Sequence, residues 1–414
     1  MGFLYNIFIS LFNSLLPVIG LFSPKLKLFV NGRKEVFKTL EKHFPAQGCV
    51  LWFHCASLGE YEQGVPVMEE LKKKYPDHKL LVTFFSPSGY EAKKNSTLAD
   101  IIVYLPIDTK RNARRFVELV QPELAVFVKY EFWPNYLKEL QSKGIPTVFI
   151  SSAFRESQSF FKWYGGFMRK ALQTIDHFFV QDKASEELIK KLGLENVTLS
   201  GDTRFDRVSH QIEMDNHVDF ITDFVNNRLC IVVGSSWPED ESVFIDFVNQ
   251  ASEDVCFIIA PHEIKESSVN ALKQRLIKKT VLYTEKDGKG LKDHQVFIMN
   301  TIGYLSRVYS YGDIAYVGGA MGNSGLHNIL EPATFGIPII IGENFENFRE
   351  AKQLQKLAGL FSVSNTEDFS KIMNKLIGDK KFRERTGMIS GHFINSNTGA
   401  TNMIVKYLFQ KIKL

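Results

Sequence analysis

A serine and a glutamate three residues apart, in Ser57-Leu58-Gly59-Glu60, follow directly on the apolar run CVLWFHCA. Two chemistries fit that spacing. An S-x-x-E pattern is a capping box, in which Glu60 closes the amino terminus of a helix. A carboxylate at a strand-to-helix turn can instead act as a general base, taking the proton of an attacking hydroxyl within hydrogen-bond reach. Spacing by itself favours the cap; Gly59 speaks for the base, because it lets a ligand approach the backbone.

Three more polar turns end apolar runs in the first half. Thr83-Phe84-Phe85-Ser86-Pro87-Ser88-Gly89 sets hydroxyls and a glycine before a helical stretch. Backbone amides at such a helix start can hold an anion, although an ordinary strand-to-helix loop has the same composition. Lys129-Tyr130-Glu131-Phe132-Trp133-Pro134-Asn135 puts a glutamate and an indole at the end of a buried run, with Pro134 opening a helix. Glu131 there is either a paired core carboxylate or a partner for sugar hydroxyls. In Ser151-Ser152-Ala153-Phe154-Arg155-Glu156-Ser157, Arg155 can clamp a carboxylate or phosphate in bidentate fashion, or pair with Glu156 at the surface.

The second half holds two loops of this kind. In Gly234-Ser235-Ser236-Trp237-Pro238-Glu239 the spacing of Ser236 and Glu239 again fits a capping box, with Pro238 in the first turn. The richest constellation is Gly318-Gly319-Ala320-Met321-Gly322-Asn323-Ser324-Gly325-Leu326-His327-Asn328-Ile329-Leu330-Glu331-Pro332. Such a glycine-rich loop lets amides approach a phosphate, and the helix it opens adds its dipole. His327 and Glu331, four apart, are expected on one helical face, one toward phosphate or base and the other toward ribose hydroxyls. Neither GxxxxGK[ST] nor a first-strand GxGxxG is present, and no HExxH, DxD or Cys/His cluster argues for a metal.

The elements that must position these turns are legible as alternating runs. In the first half they are 49–56, 79–86, 101–105, 124–129, 147–151, 177–181 and 197–200, with helical stretches such as 64–74 and 111–120 between them. The second half restarts the alternation at 229–234, 255–260, 280–284, 296–299, 314–317, 337–341 and 360–363. Continuously apolar strands separated by crossover helices indicate parallel sheets covered on both faces. The stretch 203–227 is polar and poor in strands, and reads as the junction. Ligands of doubly wound sheets bind outside the carboxyl ends of the strands, where every motif above falls.

At 414 residues the chain calls for two domains. Its net charge of +4 suits an anionic ligand or a membrane surface and is no nucleic-acid footprint. Cys49, Cys55, Cys230 and Cys256 lie in or beside apolar runs without a CxxC pair, as buried reduced thiols do. From Gly2 to Pro24 no residue is charged, and Lys25, Lys27, Arg33, Lys34 and Lys38 follow. That pattern is a membrane anchor, spanning at a tilt or lying in the interface, with the domain after it on the cytoplasmic side. A buried helix and a cleaved signal peptide are the rivals.

Taken in order, HCASLGEYEQGVPVMEEL, TFFSPSG, YEFWPN, SSAFRES, GDTRFDR, GSSWPEDE and GGAMGNSGLHNILEPATFGIPIIIG resemble the 3-deoxy-D-manno-octulosonic acid (Kdo) transferases of lipopolysaccharide core biosynthesis. The resemblance spans nearly the whole chain. It implies a GT-B fold, two Rossmann-like α/β domains facing a central cleft, behind an anchor helix: anchor 1–30, acceptor domain 31–205, donor domain 206–395, and a final helix within 396–414 packing back on the acceptor domain. It implies inverting transfer of Kdo from CMP-Kdo, a substrate, to a lipid A precursor (lipid IVA) at the cytoplasmic face of the inner membrane. Membrane lipids are then partners, nucleic acid is not, and neither a cofactor nor a metal is required.

By the same resemblance Glu60 is the catalytic base, which ranks base above cap. Ser235, Ser236, Pro261, His262, Gly319, Met321, Gly322, His327, Asn328 and Glu331 fall to the CMP-sugar donor. Ser57, Gly59, Ser88, Glu131, Arg155 and Arg204 are candidates for acceptor or sugar contacts. The chain departs from the family at Pro261-His262-Glu263, where PRH is usual, at Lys129, where the first acid of E-x-E-x-W-P stands, and at Ser152-Ala153-Phe154-Arg155, where NAR is common. The alternatives are another GT-B enzyme, a UDP-sugar transferase or epimerase, and a membrane-tethered nucleotide-binding module without turnover.

Overall fold

The computed structural model describes residues 2–44 and 49–411. The chain divides into two compact units, Met1–Arg207 with Thr398–Leu414, and Val208–Asn397. Each is built on a seven-stranded parallel sheet.

In the first unit the strands are β1 (Val50–Cys55), β2 (Lys79–Phe84), β3 (Ile101–Tyr104), β4 (Leu124–Val128), β5 (Thr147–Ser152), β6 (His177–Val180) and β7 (Val197–Leu199), ordered β3-β2-β1-β4-β5-β6-β7. The order reverses between β1 and β4, so their carboxyl ends open a crevice with no crossover to fill it. The strands read as unbroken apolar runs because both faces are covered. One face packs Trp52, Phe127, Phe149 and Phe178 against Phe116, Tyr136 and Leu140. The other packs Phe53, Val82 and Val126 against Val67, Met68 and Leu71 of the helix Leu58–Lys74. The final helix, Ala400–Lys411, joins this second layer through Ile404, Val405 and Leu408.

In the second unit β8 (Leu229–Ser236), β9 (Val255–Pro261), β10 (Thr280–Leu282), β11 (Val296–Ile298), β12 (Ile314–Val317), β13 (Ile339–Gly342) and β14 (Leu360–Val363) are ordered β10-β11-β9-β8-β12-β13-β14. Here the switch falls between β8 and β12. The stretch read as a strand-poor junction carries the helices Thr203–His210 and Asp219–Val225.

One expectation is corrected: Cys55, Cys230 and Cys256 are buried, but Cys49, which precedes β1 instead of belonging to it, is exposed. The uncharged amino terminus forms the helix Gly2–Ile19, with Pro17 inside it, and a second helix, Pro24–Lys34, starts behind a Ser23 cap.

The helix Gly2–Ile19 is long and apolar enough to cross a membrane, yet its two faces differ. Leu16, with Ile9, Phe12 and Ile19 beside it, packs on Val30 and Ile107. Tyr5 donates its hydroxyl to Asp108 Oδ2 at 2.7 Å, and Asn135 Nδ2 donates to Asn6 Oδ1 at 3.0 Å. Phe3, Leu4, Ile7, Phe8, Leu11, Leu15 and Val18, at three- and four-residue spacing, are exposed.

Candidate active site

At the switch point of the first sheet, β1 and β4 deliver their following turns side by side. The helix Leu58–Lys74 starts right after β1 and has Glu60 at its third position. Glu60 Oε2 accepts from the backbone N–H of Ala56 and, at 3.3 Å, from that of Ser57, so the cap expected from spacing is made. Only one carboxylate oxygen is used for it: among the described residues none donates to Oε1. Glu60 is 6 % exposed, and a Cβ built on Gly59 would meet nothing within 4 Å, so the turn borders open space. Burial, and then the charge of Glu131, push the Glu60 carboxyl up to about 7, against the amide bonds and Lys129. A carboxyl poised near neutrality is what proton abstraction requires.

Glu131 sits in the turn after β4, where Lys129 bends the chain at φ +65°. Its Oε2 lies 3.7 Å from Nε2 of the buried His54, and the same nitrogen accepts the Trp133 indole N–H at 3.1 Å. His54 Nδ1 is 2.9 Å from Thr83 Oγ1, which also accepts the Trp52 indole N–H at 2.8 Å. Since Nε2 accepts, the ring carries its hydrogen on Nδ1 and gives it to Thr83. His54 was not among the sequence candidates; a histidine inside an apolar run gives no sign of what it will face.

The other candidates of the first unit separate. Ser86, not Ser88, caps the helix Pro87–Lys93, accepting from Gly89 N at 3.2 Å, and Ser88 is exposed. Arg155 is exposed and its guanidinium makes no ion pair among the described residues, including with Glu156. Arg204 is already paired: its Nε and Nη2 both reach Asp202 Oδ2 at 2.8 Å. Burial opposes ionisation of Asp202, but Arg204 and the bond from Gln63 Nε2 hold its carboxyl below the usual range. Asp206 in turn accepts from Gly399 N and Thr401 N, at 2.5 and 2.8 Å, at the head of the final helix. The GDTRFDR motif thus fastens the chain's last helix to its own unit.

In the second unit the expected Ser236–Glu239 cap is displaced by one residue. The helix Pro238–Gln250 is capped at Trp237, whose N–H donates to Asp240 Oδ2 at 2.9 Å. Asp240, fully buried, also accepts from Gly319 N and the Tyr316 hydroxyl, each at 2.8 Å. This carboxylate binds the loop after β8 to the loop after β12. Ser236 Oγ is buried and, among the described residues, has no hydrogen-bond partner. Ser235 bulges out of β8 at φ +54°, breaking its register with β9.

His262 N–H donates to Ser236 O at 2.9 Å, and the His262 ring lies between Trp237 and His327, with centroids 4.4 and 4.5 Å away. The Trp237 indole donates to His327 Nε2 at 3.1 Å. Burial, then His262, push the His327 imidazole down to about 4, so it is neutral and holds its hydrogen on Nδ1. His327 therefore offers a neutral donor, not a cation for phosphate.

His327 also precedes the helix Leu330–Thr334, so the shared helical face expected for His327 and Glu331 does not exist. Asn328 supplies the connection: its Nδ2 donates to Glu331 Oε1 at 3.1 Å and its Oδ1 accepts from Leu330 N. Gly319 needs its missing side chain: φ is +95°, and a Cβ would fall 2.2 Å from Gly325 O. Asn344 Nδ2 holds the carbonyls of Met321 and Gly322, each at 3.2 Å. A cavity of about 330 Å³ adjoins Ser236, Trp237 and Pro261. A larger one, about 690 Å³ and lined by Asp219, Lys286 and Lys292 among others, holds none of the motif residues.

Residues 31–207 match the family described as 3-Deoxy-D-manno-octulosonic-acid transferase (kdotransferase). The chain is 28% identical over 380 residues to a 3-deoxy-D-manno-octulosonic acid transferase of Haemophilus influenzae, covering 88% of this chain and 87% of that protein. It is 26% identical over 373 residues to a transferase of the same description from Aquifex aeolicus, covering 86% and 97%. Among solved structures, UDP-GlcNAc 2-epimerase of Neisseria meningitidis superposes with TM-score 0.62 at 15% identity, over 87% of this chain and 99% of that one. MurG of Acinetobacter baumannii gives TM-score 0.53 at 11% identity, over 88% and 100%. At those identities the two structures speak for the GT-B fold alone. The first unit thus matches the 3-deoxy-D-manno-octulosonic acid transferase family over residues 31–207, and the chain is similar to transferases of that description over most of its length.

Proposed function

We propose that the chain transfers Kdo from CMP-Kdo to a hydroxyl of a lipid A precursor, lipid IVA, with Glu60 as the base. The observation that carries this is Glu60 itself: one oxygen is tied into the helix cap, and the carboxyl is pushed to about 7 at a turn bordering open space. Orientation comes from the cap and basicity from burial. As the acceptor oxygen forms its bond to the anomeric carbon, its proton passes to Glu60. The bond from that carbon to the CMP phosphate breaks, and its electron pair leaves with CMP.

On the donor side the Ser236 hydroxyl and the His327 Nδ1–H are the free groups suited to the phosphate or nucleoside. Asn328 and Glu331, already joined, suit ribose hydroxyls. Arg155 is the cation for the Kdo carboxylate or a lipid A phosphate. The helix Gly2–Ile19 holds the chain to the cytoplasmic face of the inner membrane. Its polar bonds to Asp108 and Asn135 favour a helix lying in the interface over one that leaves the unit to span.

The test is transfer by the purified chain with CMP-Kdo and lipid IVA. Product from the wild type, none from a folded Glu60→Gln, and no turnover with UDP-sugars is the expected outcome. CMP binding without turnover would replace this reading with a nucleotide-binding module.

A further inference from the structure

We propose that Cys49, His78 and Glu123 form a zinc-binding site at the amino ends of three adjacent strands. Each is the residue immediately before a strand: Cys49 before β1, His78 before β2, Glu123 before β4. The three strands are neighbours in the order β2-β1-β4. Their register, Val50 beside Lys79 and Leu51 beside Leu124, brings the three preceding residues to one edge. Lys79 N–H donates to Cys49 O and Glu123 N–H to Val50 O, each at 2.9 Å, so the ladder hydrogen bonds run right up to this edge.

One ligand atom from each side chain lies within 4.8 Å of the other two, and His78 Nε2 is 3.1 Å from Glu123 Oε2. Tetrahedral zinc, with bonds of about 2.0 Å to nitrogen or oxygen and about 2.3 Å to sulfur, needs its ligand atoms roughly 3 to 4 Å apart. The His78–Glu123 pair already stands at that spacing, and metal binding would draw in the third ligand atom. A thiolate with an imidazole selects zinc over magnesium or calcium. One thiolate and one carboxylate balance the charge of the ion, leaving a fourth position for water. The His78 ring is 9 % exposed and rests on Tyr75, with centroids 5.0 Å apart, whereas Cys49 is exposed and admits the ion.

The site sits at the opposite end of β1 from Glu60, so it serves to clasp strands and takes no part in transfer. Cys49, His78 and Glu123 are far apart in the chain, 45 positions separating the last two, which hides them from any spacing pattern.

Cobalt(II) is the probe, added to the reduced, metal-free full-length chain. One equivalent should bind with a thiolate-to-cobalt absorption band that zinc abolishes. Cys49→Ser should lose the band, and Glu123→Gln should lose stoichiometric binding while circular dichroism stays unchanged. No band in the wild type overturns the proposal. So does a band that survives in Cys49→Ser, which would place the metal on another cysteine. An unchanged affinity in Glu123→Gln would overturn the three-residue site as well.

Discussion

The Trp133 indole donates to His54 Nε2 at 3.1 Å, and Glu131 Oε2 stands 3.7 Å from that nitrogen. The indole thereby keeps the ring hydrogen on the far side and leaves the Glu131 charge uncompensated by His54. Trp133→Phe removes the donor while keeping an aromatic ring against Phe85, 4.9 Å away in the wild type. His54 Nε2 is then left without its donor beside Glu131, and stability should fall by about 1 to 3 kcal/mol for the lost bond. An unchanged unfolding temperature in Trp133→Phe would show that the indole bond does not hold this turn.

Glu60 makes activity and stability pull in opposite directions. As the base it must be ionised, so kcat/KM should rise with pH through about 7. Its folded pKa lies above the ordinary 4.5, so the folded state holds the extra proton. That contribution is present at low pH and is lost as pH rises from about 4.5 through about 7. Above that window the buried charge costs on the order of 3 kcal/mol. Glu60→Gln keeps an oxygen for the Ala56 and Ser57 amides without the charge. It should abolish transfer and raise the unfolding temperature at pH 8, with a smaller gain at pH 4. A variant equally stable at both pH values would count against the raised pKa.

Asp240 should matter more than any residue that touches the donor. Asp240→Ala strands Trp237 N–H, Gly319 N–H and the Tyr316 hydroxyl in one buried pocket. The expected loss is roughly 3 kcal/mol of stability, together with protection by CMP against thermal unfolding. Ser236→Ala, which removes a hydroxyl without a partner, should weaken CMP binding and leave the unfolding temperature of the free protein nearly unchanged. A marked drop in that temperature would show that Ser236 is structural.

The parallel sheets were readable because burial on both faces writes each strand as an unbroken apolar run, such as LCIVV or LAVFV. The turns after β1, β4, β8 and β12 were readable for a related reason: glycine, serine and carboxylate cannot belong to those runs. What stayed hidden was partnership. S-x-x-E at Ser236 looked like a cap, but Asp240, one position further on, won the helix start. His327 and Glu331 have helical spacing, yet the helix begins only at Leu330. Each error is a local pattern overruled by a contact that only the fold supplies.

The amino-terminal helix gives a prediction in which spanning and lying flat part company. A spanning segment meets lipid all round, and a helix in the interface does so only on its exposed face. Leu11→Glu and Leu15→Glu lie on that face, and Tyr5→Phe on the docked one. If the helix lies flat, the two acidic substitutions together should release the chain from anionic vesicles in flotation while leaving CMP binding intact. Tyr5→Phe should leave flotation unchanged but lower stability by about 1 kcal/mol, by removing the donor to Asp108. Asp108 is itself pushed up to about 7 by burial, so it binds a proton that the unfolded chain gives up. Its contribution therefore favours the folded state below about pH 4 and is lost as pH rises through about 7, while the Tyr5 bond offsets part of that loss. The Tyr5→Phe penalty should accordingly be larger at pH 8 than at pH 4. Retention of the doubly acidic variant on vesicles after a salt wash would instead argue for a segment that crosses the bilayer.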